Sequence, residues 1–338
     1  MKKILLAATV ALALLASCSK DADRIAESAR GGVVKISFVD ETPQSRAFFG
    51  ATAAAESWEK QINSLTLLVF DKGGTAVLRR HFSPGEIAAG TATVPLPEAT
   101  PGETYSFHVI ANAVGIGAVA DLNALKALAE SEAAAYNGTF DEVASRAKRS
   151  GGFTMSGSAD KAVAQAGQVT AVEVSLKRLV GKIAVQASVD PQFASLYPGS
   201  VKISQTAISR AGVSARYVAG QLSGAATTFS HTQAAKDLGG KYGNLFYVYG
   251  HEGGSPAQAV LLTLTGIYDR DGNFSTTADQ VPVSYEVRLQ GDTGNAIDRN
   301  TYRRVSVAVK GLTGADVAVT VTPADWEGPF NQEVNLGM

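Results

Sequence analysis

Residues 62–82 read Ile62-Asn63-Ser64-Leu65-Thr66-Leu67-Leu68-Val69-Phe70-Asp71-Lys72-Gly73-Gly74-Thr75-Ala76-Val77-Leu78-Arg79-Arg80-His81-Phe82. The first nine residues favour an extended chain and set Leu65, Leu67 and Val69 on one face. Asp71-Lys72-Gly73-Gly74 is a turn cluster, and a second extended run follows from Thr75. Two extended runs joined by such a cluster form an antiparallel hairpin.

The same grammar recurs on both sides. Upstream, Val34, Ile36 and Phe38 alternate with Lys35 and Ser37, a half-buried strand. Downstream, Tyr105, Phe107 and Val109 alternate with Ser106 and His108. Further extended runs lie at 172–176, 182–189, 201–209, 245–249, 259–268, 283–289, 302–309 and 317–321. Short strands separated by turn signals predict β-sandwiches rather than a parallel sheet. Helical spacing is confined to one insertion. Leu122, Leu125, Leu128 and Ala129 follow Asp121, a good N-cap, and a second short helix is expected over 140–148.

The chain has 338 residues, length for about two domains. It is 45% apolar, enough to build real cores, which excludes bulk disorder. Lys and Arg number 30 against 31 Asp and Glu, and this balance argues against nucleic acid as a partner. A single Cys excludes an internal disulfide or a Cys-rich metal site.

The N-terminus explains that Cys. Lys2 and Lys3 precede an apolar run over 4–15, too short for a bilayer span and right for a secretory signal. Leu15-Ala16-Ser17-Cys18 then looks like a bacterial lipobox, in which Cys18 carries the lipid and the signal 1–17 is removed. Residues 19–30 read as a polar tether to the membrane, which two or three acyl chains hold stably. No later stretch approaches eighteen consecutive apolar residues.

No catalytic constellation emerges, and no cofactor is expected. His81, His108, His231 and His251 are scattered, and His108 reads as a solvated strand residue. A Gly-x-Ser-x-Gly elbow, a phosphate loop and a dinucleotide fingerprint are all absent. Asp269-Arg270-Asp271-Gly272-Asn273 resembles the start of a calcium loop but lacks the distal Glu, so a polar turn is the better reading and no metal site is expected. Asn137-Gly138-Thr139 is a formal glycosylation sequon of little weight. Trp58 and Trp326 are the only tryptophans, and core packing is the commoner fate for each. Thr42-Pro43-Gln44-Ser45-Arg46-Ala47-Phe48 predicts an exposed extended segment. Taken alone, Arg46 is an ordinary loop arginine.

Across nearly the whole chain, however, the sequence resembles the fimbrillin family of Bacteroidales, the type V pilins. The matching pieces come in order. They are the lipobox ending at Cys18, the strand at 33–39, and the polar stretch ending in Arg46-Ala47-Phe48. Next come Ile62 to Asp71, and Phe107-His108-Val109-Ile110-Ala111-Asn112-Ala113. Val174-Ser175-Leu176-Lys177-Arg178-Leu179-Val180-Gly181-Lys182-Ile183 resembles the junction into a second domain. Arg299-Asn300-Thr301-Tyr302 with Val305, Val307 and Val309 resembles a late strand, and Val317 to Val321 with Asp325-Trp326 a C-terminal signature.

The resemblance implies an all-β fold of two tandem transthyretin-like β-sandwich domains, with a small helical insertion. The domains are expected over 47–177 and 178–338. It also implies a structural subunit of a surface fimbrium, not an enzyme. Such a subunit is carried to the outer membrane as a lipoprotein through Cys18. An Arg-specific protease would cut between Arg46 and Ala47 and remove 18–46. A neighbouring subunit's C-terminal strand would then fill the vacated groove. In the precursor Val34, Ile36 and Phe38 would plug that groove. Removing them exposes apolar surface and an unpaired strand edge, which an added strand restores. The contact is heterologous and so grows a filament. The segment 18–46 holds five basic and five acidic residues, so trimming leaves net charge unchanged. Phe330, Val334 and Leu336 are the donor residues by alternation, with Gln332 interrupting it. The same tail also reads as a terminal strand packed on its own domain. Partners are other fimbrial subunits, the protease and the membrane lipid. The alternatives are a tip or anchor subunit, or a surface glycan-binding lipoprotein, for which 7% aromatic content is low.

Overall fold

The computed structural model describes residues 32–37, 49, 55–89, 91–96, 98–165, 168–218, 228–252, 254–289, 294, 296–314, 316–324, 326 and 330–335. Residues 32–37, 91, 323–324 and 330–335 are described by backbone alone. The strands are β1 (Gly32–Ser37), β2 (Leu65–Phe70), β3 (Ala76–His81), β4 (Thr91–Leu96), β5 (Thr104–Ala111), β6 (Ala129–Glu130), β7 (Met155–Ala162), β8 (Ala171–Arg178), β9 (Val180–Val189), β10 (Ser200–Ala211), β11 (Ala215–Arg216), β12 (Phe229–Ala234), β13 (Lys236–Asp237), β14 (Lys241–Tyr249), β15 (Leu261–Asp269), β16 (Gln280–Arg288), β17 (Tyr302–Val309), β18 (Val317–Ala324) and β19 (Phe330–Asn335).

The expected hairpin forms as β2 and β3. Its turn is closed by the Asp71 carboxylate accepting from the Thr75 amide at 2.8 Å, and by Gly74 at φ +83°. β2 departs from the one-sided burial its alternation predicts, because all six residues are buried. The second face is covered too, with Phe70 edge-on to the His108 ring at 5.5 Å.

The first eight-stranded sheet runs β3-β2-β5-β7-β8-β19-β1-β4, with every pairing antiparallel. β7 and β8 pair only at Met155↔Arg178 and Ser156↔Lys177. Past that short seam the two halves separate, and their apolar faces share one core. Leu67, Val69, Phe107 and Val109 come from one half, Val94, Val172, Val174 and Leu176 from the other. That is a β-sandwich.

A second sandwich follows. Its layers are β12-β10-β15-β16 and β13-β14-β9-β17-β18. Ile203, Leu262, Leu264 and Tyr285 face Ile183, Val185, Phe246 and Val307 in a separate core. β9 and β17 pair in parallel, the one parallel contact among the described strands.

The helical insertion lies between the two cores. The turns Ala133–Tyr136 and Phe140–Val143 pack toward β14, whose Leu245, Tyr247 and Tyr249 belong to the first core while Phe246 and Val248 belong to the second, whereas the turn Leu122–Ala127 starts against the β2–β3 hairpin, its Leu122 amide donating to the Gly74 carbonyl. Asp121 caps that turn as expected, accepting from the Ala124 amide. The expected helix over 140–148 ends at Val143. Just beyond, the Ser145 hydroxyl takes the Asp141 and Glu142 carbonyls that a longer helix would use.

Two side-chain expectations are resolved here. His108 is not solvated but buried at 5% exposure, since Tyr217, Val218 and Arg299 lie over that face of the sheet. Trp326 is buried in the first core, as packing predicted.

Candidate assembly site

Two groups of residues converge where the first domain meets the C-terminal strand. The first is a seam of strands. β1 lies between β4 and β19, and β19 lies between β1 and β8. The walls present buried side chains on alternate positions, Ala92, Val94 and Leu96 from β4 and Val172, Val174 and Leu176 from β8. In the β1 register Val34 stands opposite Val94, and Ile36 opposite both Ala92 and Val334. In the β19 register Phe330 stands opposite Leu176 and Val334 opposite Val172. Gln332 falls opposite Val174.

Cys18, Phe38, Arg46, Ala47 and Leu336 lie outside the described residues. Val34 and Ile36 on β1, with Phe330 and Val334 on β19, are the site residues that the structure brings into one sheet.

The second group is a buried junction that sequence reasoning missed. It centres on Glu59, which follows Trp58 in the turn Ser57–Lys60. The Glu59 carboxylate is fully buried. Its Oε1 accepts from Lys182 Nζ at 2.7 Å and from the Tyr247 hydroxyl at 2.6 Å. Its Oε2 accepts from Trp326 Nε1 at 3.2 Å. Burial opposes its charge, but Lys182 and Arg178 outweigh that and hold its pKa below the usual carboxylate value. Arg178 donates from Nε to the Glu59 carbonyl and from Nη1 to Asn300 Oδ1, both at 2.9 Å. Its guanidinium lies over the Trp326 ring, 4.1 Å from the centroid. One acidic residue far upstream thus ties together the β8–β9 junction, the 299–302 turn and the residue that precedes β19. The only sequence signal for it was the odd charge pair Arg178 and Lys182 inside an apolar run.

A second buried cluster braces the insertion. Glu130 accepts from the Tyr136 and Tyr249 hydroxyls at 2.5 and 2.7 Å and pairs with Arg149 at 3.0 Å. Asn137 of the formal sequon is 2% exposed, and its amide donates to the Ala133 and Tyr247 carbonyls, so its role is structural. These networks bind strands and loops together.

Residues 33–178 match the model of the family described as major fimbrial subunit protein (FimA). No curated protein matches the chain. Among solved structures, the fimbrilin of Porphyromonas gingivalis is 16% identical with a TM-score of 0.54, covering 86% of this chain and 96% of that one. The tip fimbrial protein Mfa3 of the same organism, C-terminally truncated, is 16% identical with a TM-score of 0.54, covering 87% and 100%. A protein from Bacteroides eggerthii proposed to act in cell adhesion is 18% identical with a TM-score of 0.56, covering 88% and 97%. At such identities the structural likeness is one of fold. The all-β tandem architecture is the expected one, and over residues 33–178 this chain is similar to the major fimbrial subunit protein family.

Proposed function

We propose that this protein is a structural subunit of a cell-surface fimbrium that polymerises by donor-strand exchange. The observation that carries this reading is the place of β19. The C-terminal strand belongs to the sheet of the first domain, seated between β1 and β8. A sheet that accepts this chain's own C-terminal strand has the hydrogen-bonding edge and apolar rows to accept the same strand from a second copy.

The remaining steps follow the resemblance. The chain is exported as a lipoprotein and held at the outer membrane through Cys18. An Arg-specific protease cuts after Arg46 and frees the segment containing β1, which opens the edge of β4. The domains 47–177 and 178–338 then act as the repeating unit. Three to five buried anchors contribute on the order of 10 kcal/mol per junction as an upper figure.

The test is the N-terminal sequence and mass of the protein in filaments sheared from cells. The expected result is a chain that starts at Ala47 and runs as a ladder on unheated gels. A surface form that starts at lipidated Cys18 and stays monomeric would overturn the stalk role and favour an anchor.

A further inference from the structure

The β15–β16 hairpin ends in Asp269-Arg270-Asp271-Gly272-Asn273-Phe274-Ser275-Thr276-Thr277-Ala278-Asp279-Gln280. Asp269 closes β15 and stands in register with Gln280, which opens β16. Alternate residues from Asp269 to Ser275 all carry side-chain oxygen. The distal Glu that the sequence pattern lacks is replaced in space by Asp279. Its Oδ2 accepts from the Asp271 amide at 3.0 Å, which draws the far end of the loop back onto its start. One carboxylate oxygen each from Asp269, Asp271 and Asp279 lies within 4.8 Å of the others.

The second observation is Asp269 itself. Its side chain is 0% exposed, and its Oδ1 has no hydrogen-bond partner. Burying an unpartnered carboxylate oxygen is costly. No Lys or Arg pairs with any of the three aspartates among the described residues. Two loop carbonyls, of Phe274 and Thr276, converge on the Gln280 amide that also donates to Asp269 Oδ2 at 3.0 Å. Three carboxylates, neighbouring carbonyls and solvent access on one side make a hard oxygen site. Calcium accepts six to eight such ligands in irregular geometry, whereas magnesium demands a small octahedron.

We propose that Asp269, Asp271 and Asp279 hold a calcium ion at the tip of the β15–β16 hairpin. The ion sits against the buried Asp269 oxygen and ties the two strands together. Its affinity falls in the weak range of extracellular modules, about 0.1–1 mM. The site is independent of the strand seam and of the assembly reading.

The experiment is calorimetric titration of the full-length protein with calcium chloride, alongside terbium luminescence excited through Tyr268, the neighbour of Asp269. Binding of one ion is expected, with a rise in the thermal midpoint at saturating calcium. Asp279→Asn keeps the oxygen that accepts from the Asp271 amide and removes one charge. It should weaken calcium at least about tenfold, since site charge sets affinity. Without calcium its thermal midpoint should be no lower than that of the parent, because like-charge repulsion is relieved. That second readout separates lost ligation from lost folding. No heat and no terbium signal up to about 10 mM, tenfold above the weakest expected affinity, would overturn the site. Equal affinity in the parent and Asp279→Asn would overturn it as well.

Discussion

Asn112 shows how much one residue can carry. It follows β5 directly, at φ +59°, a left-handed conformation that asparagine tolerates better than most side chains. Its Oδ1 accepts from the Asn63 amide at 2.7 Å, and its Nδ2 donates to the Gln61 and Phe153 carbonyls at 2.8 Å. The strand end that the sequence displayed as Val109-Ile110-Ala111-Asn112 is thus a latch on the segment that carries Glu59. Asn112→Ala loses these bonds and keeps the strained φ, and should cost about 3–5 kcal/mol in urea unfolding. Asn112→Gly loses the bonds but not the conformation, so it should be milder by about 1 kcal/mol. His108 gives a pH signature. Burial lowers its pKa to about 4. The unfolded chain therefore takes up this proton near its ordinary value of about 6.5, before the folded one does. Stability is full above that value and is lost as pH falls toward about 4, by up to about 3 kcal/mol. His108→Leu should flatten that part of the curve of unfolding midpoint against pH.

Strands with strong alternation were legible from the sequence, and those without it were not. β4 reads Thr91-Ala92-Thr93-Val94-Pro95-Leu96, where Pro95 and small residues mask a row that is in fact buried. β7 is rich in Ser and Gly, yet it lies inside the sheet between β5 and β8. It is strand by position, not by propensity, since tertiary pairing overrides a weak local preference. Gly157 in β7 marks the reason. A Cβ there would run into the Ser175 carbonyl of β8. Gly157→Ala should therefore force the two halves of the sheet apart and cost about 1–3 kcal/mol, read by chemical denaturation. The neighbours in the strand seam were not legible from the sequence, because which strand lies beside which is set by long-range pairing. Deleting 330–338 leaves β8 and β1 with open edges. On the assembly reading, the deleted protein alone should form no gel ladder, while its first domain still accepts a strand from an intact copy.

At the scale of the whole molecule, the junction decides whether two sandwiches behave as one. Glu59, Arg178 with Lys182, Tyr247 and Trp326 reach it from four separate parts of the chain. Sequence reading found the apolar runs on either side but not Glu59, since burial of a charge depends on partners more than a hundred residues away. Breaking a buried pair strands the other charge. Glu59→Gln should lower stability by about 3–5 kcal/mol. Scanning calorimetry should show one transition for the parent and two for Glu59→Gln, as the domains uncouple.

Only residues 327–329 separate the anchored Trp326 from β19. So short a leash gives the C-terminal strand a millimolar effective molarity at its own acceptor sheet. A free subunit is then a ring of one, already closed on itself. On the assembly reading, a second chain displaces a tethered competitor rather than entering an empty slot, and growth is paced by how often that internal strand lets go, a first-order event, so its rate levels off as subunits are added rather than rising without limit.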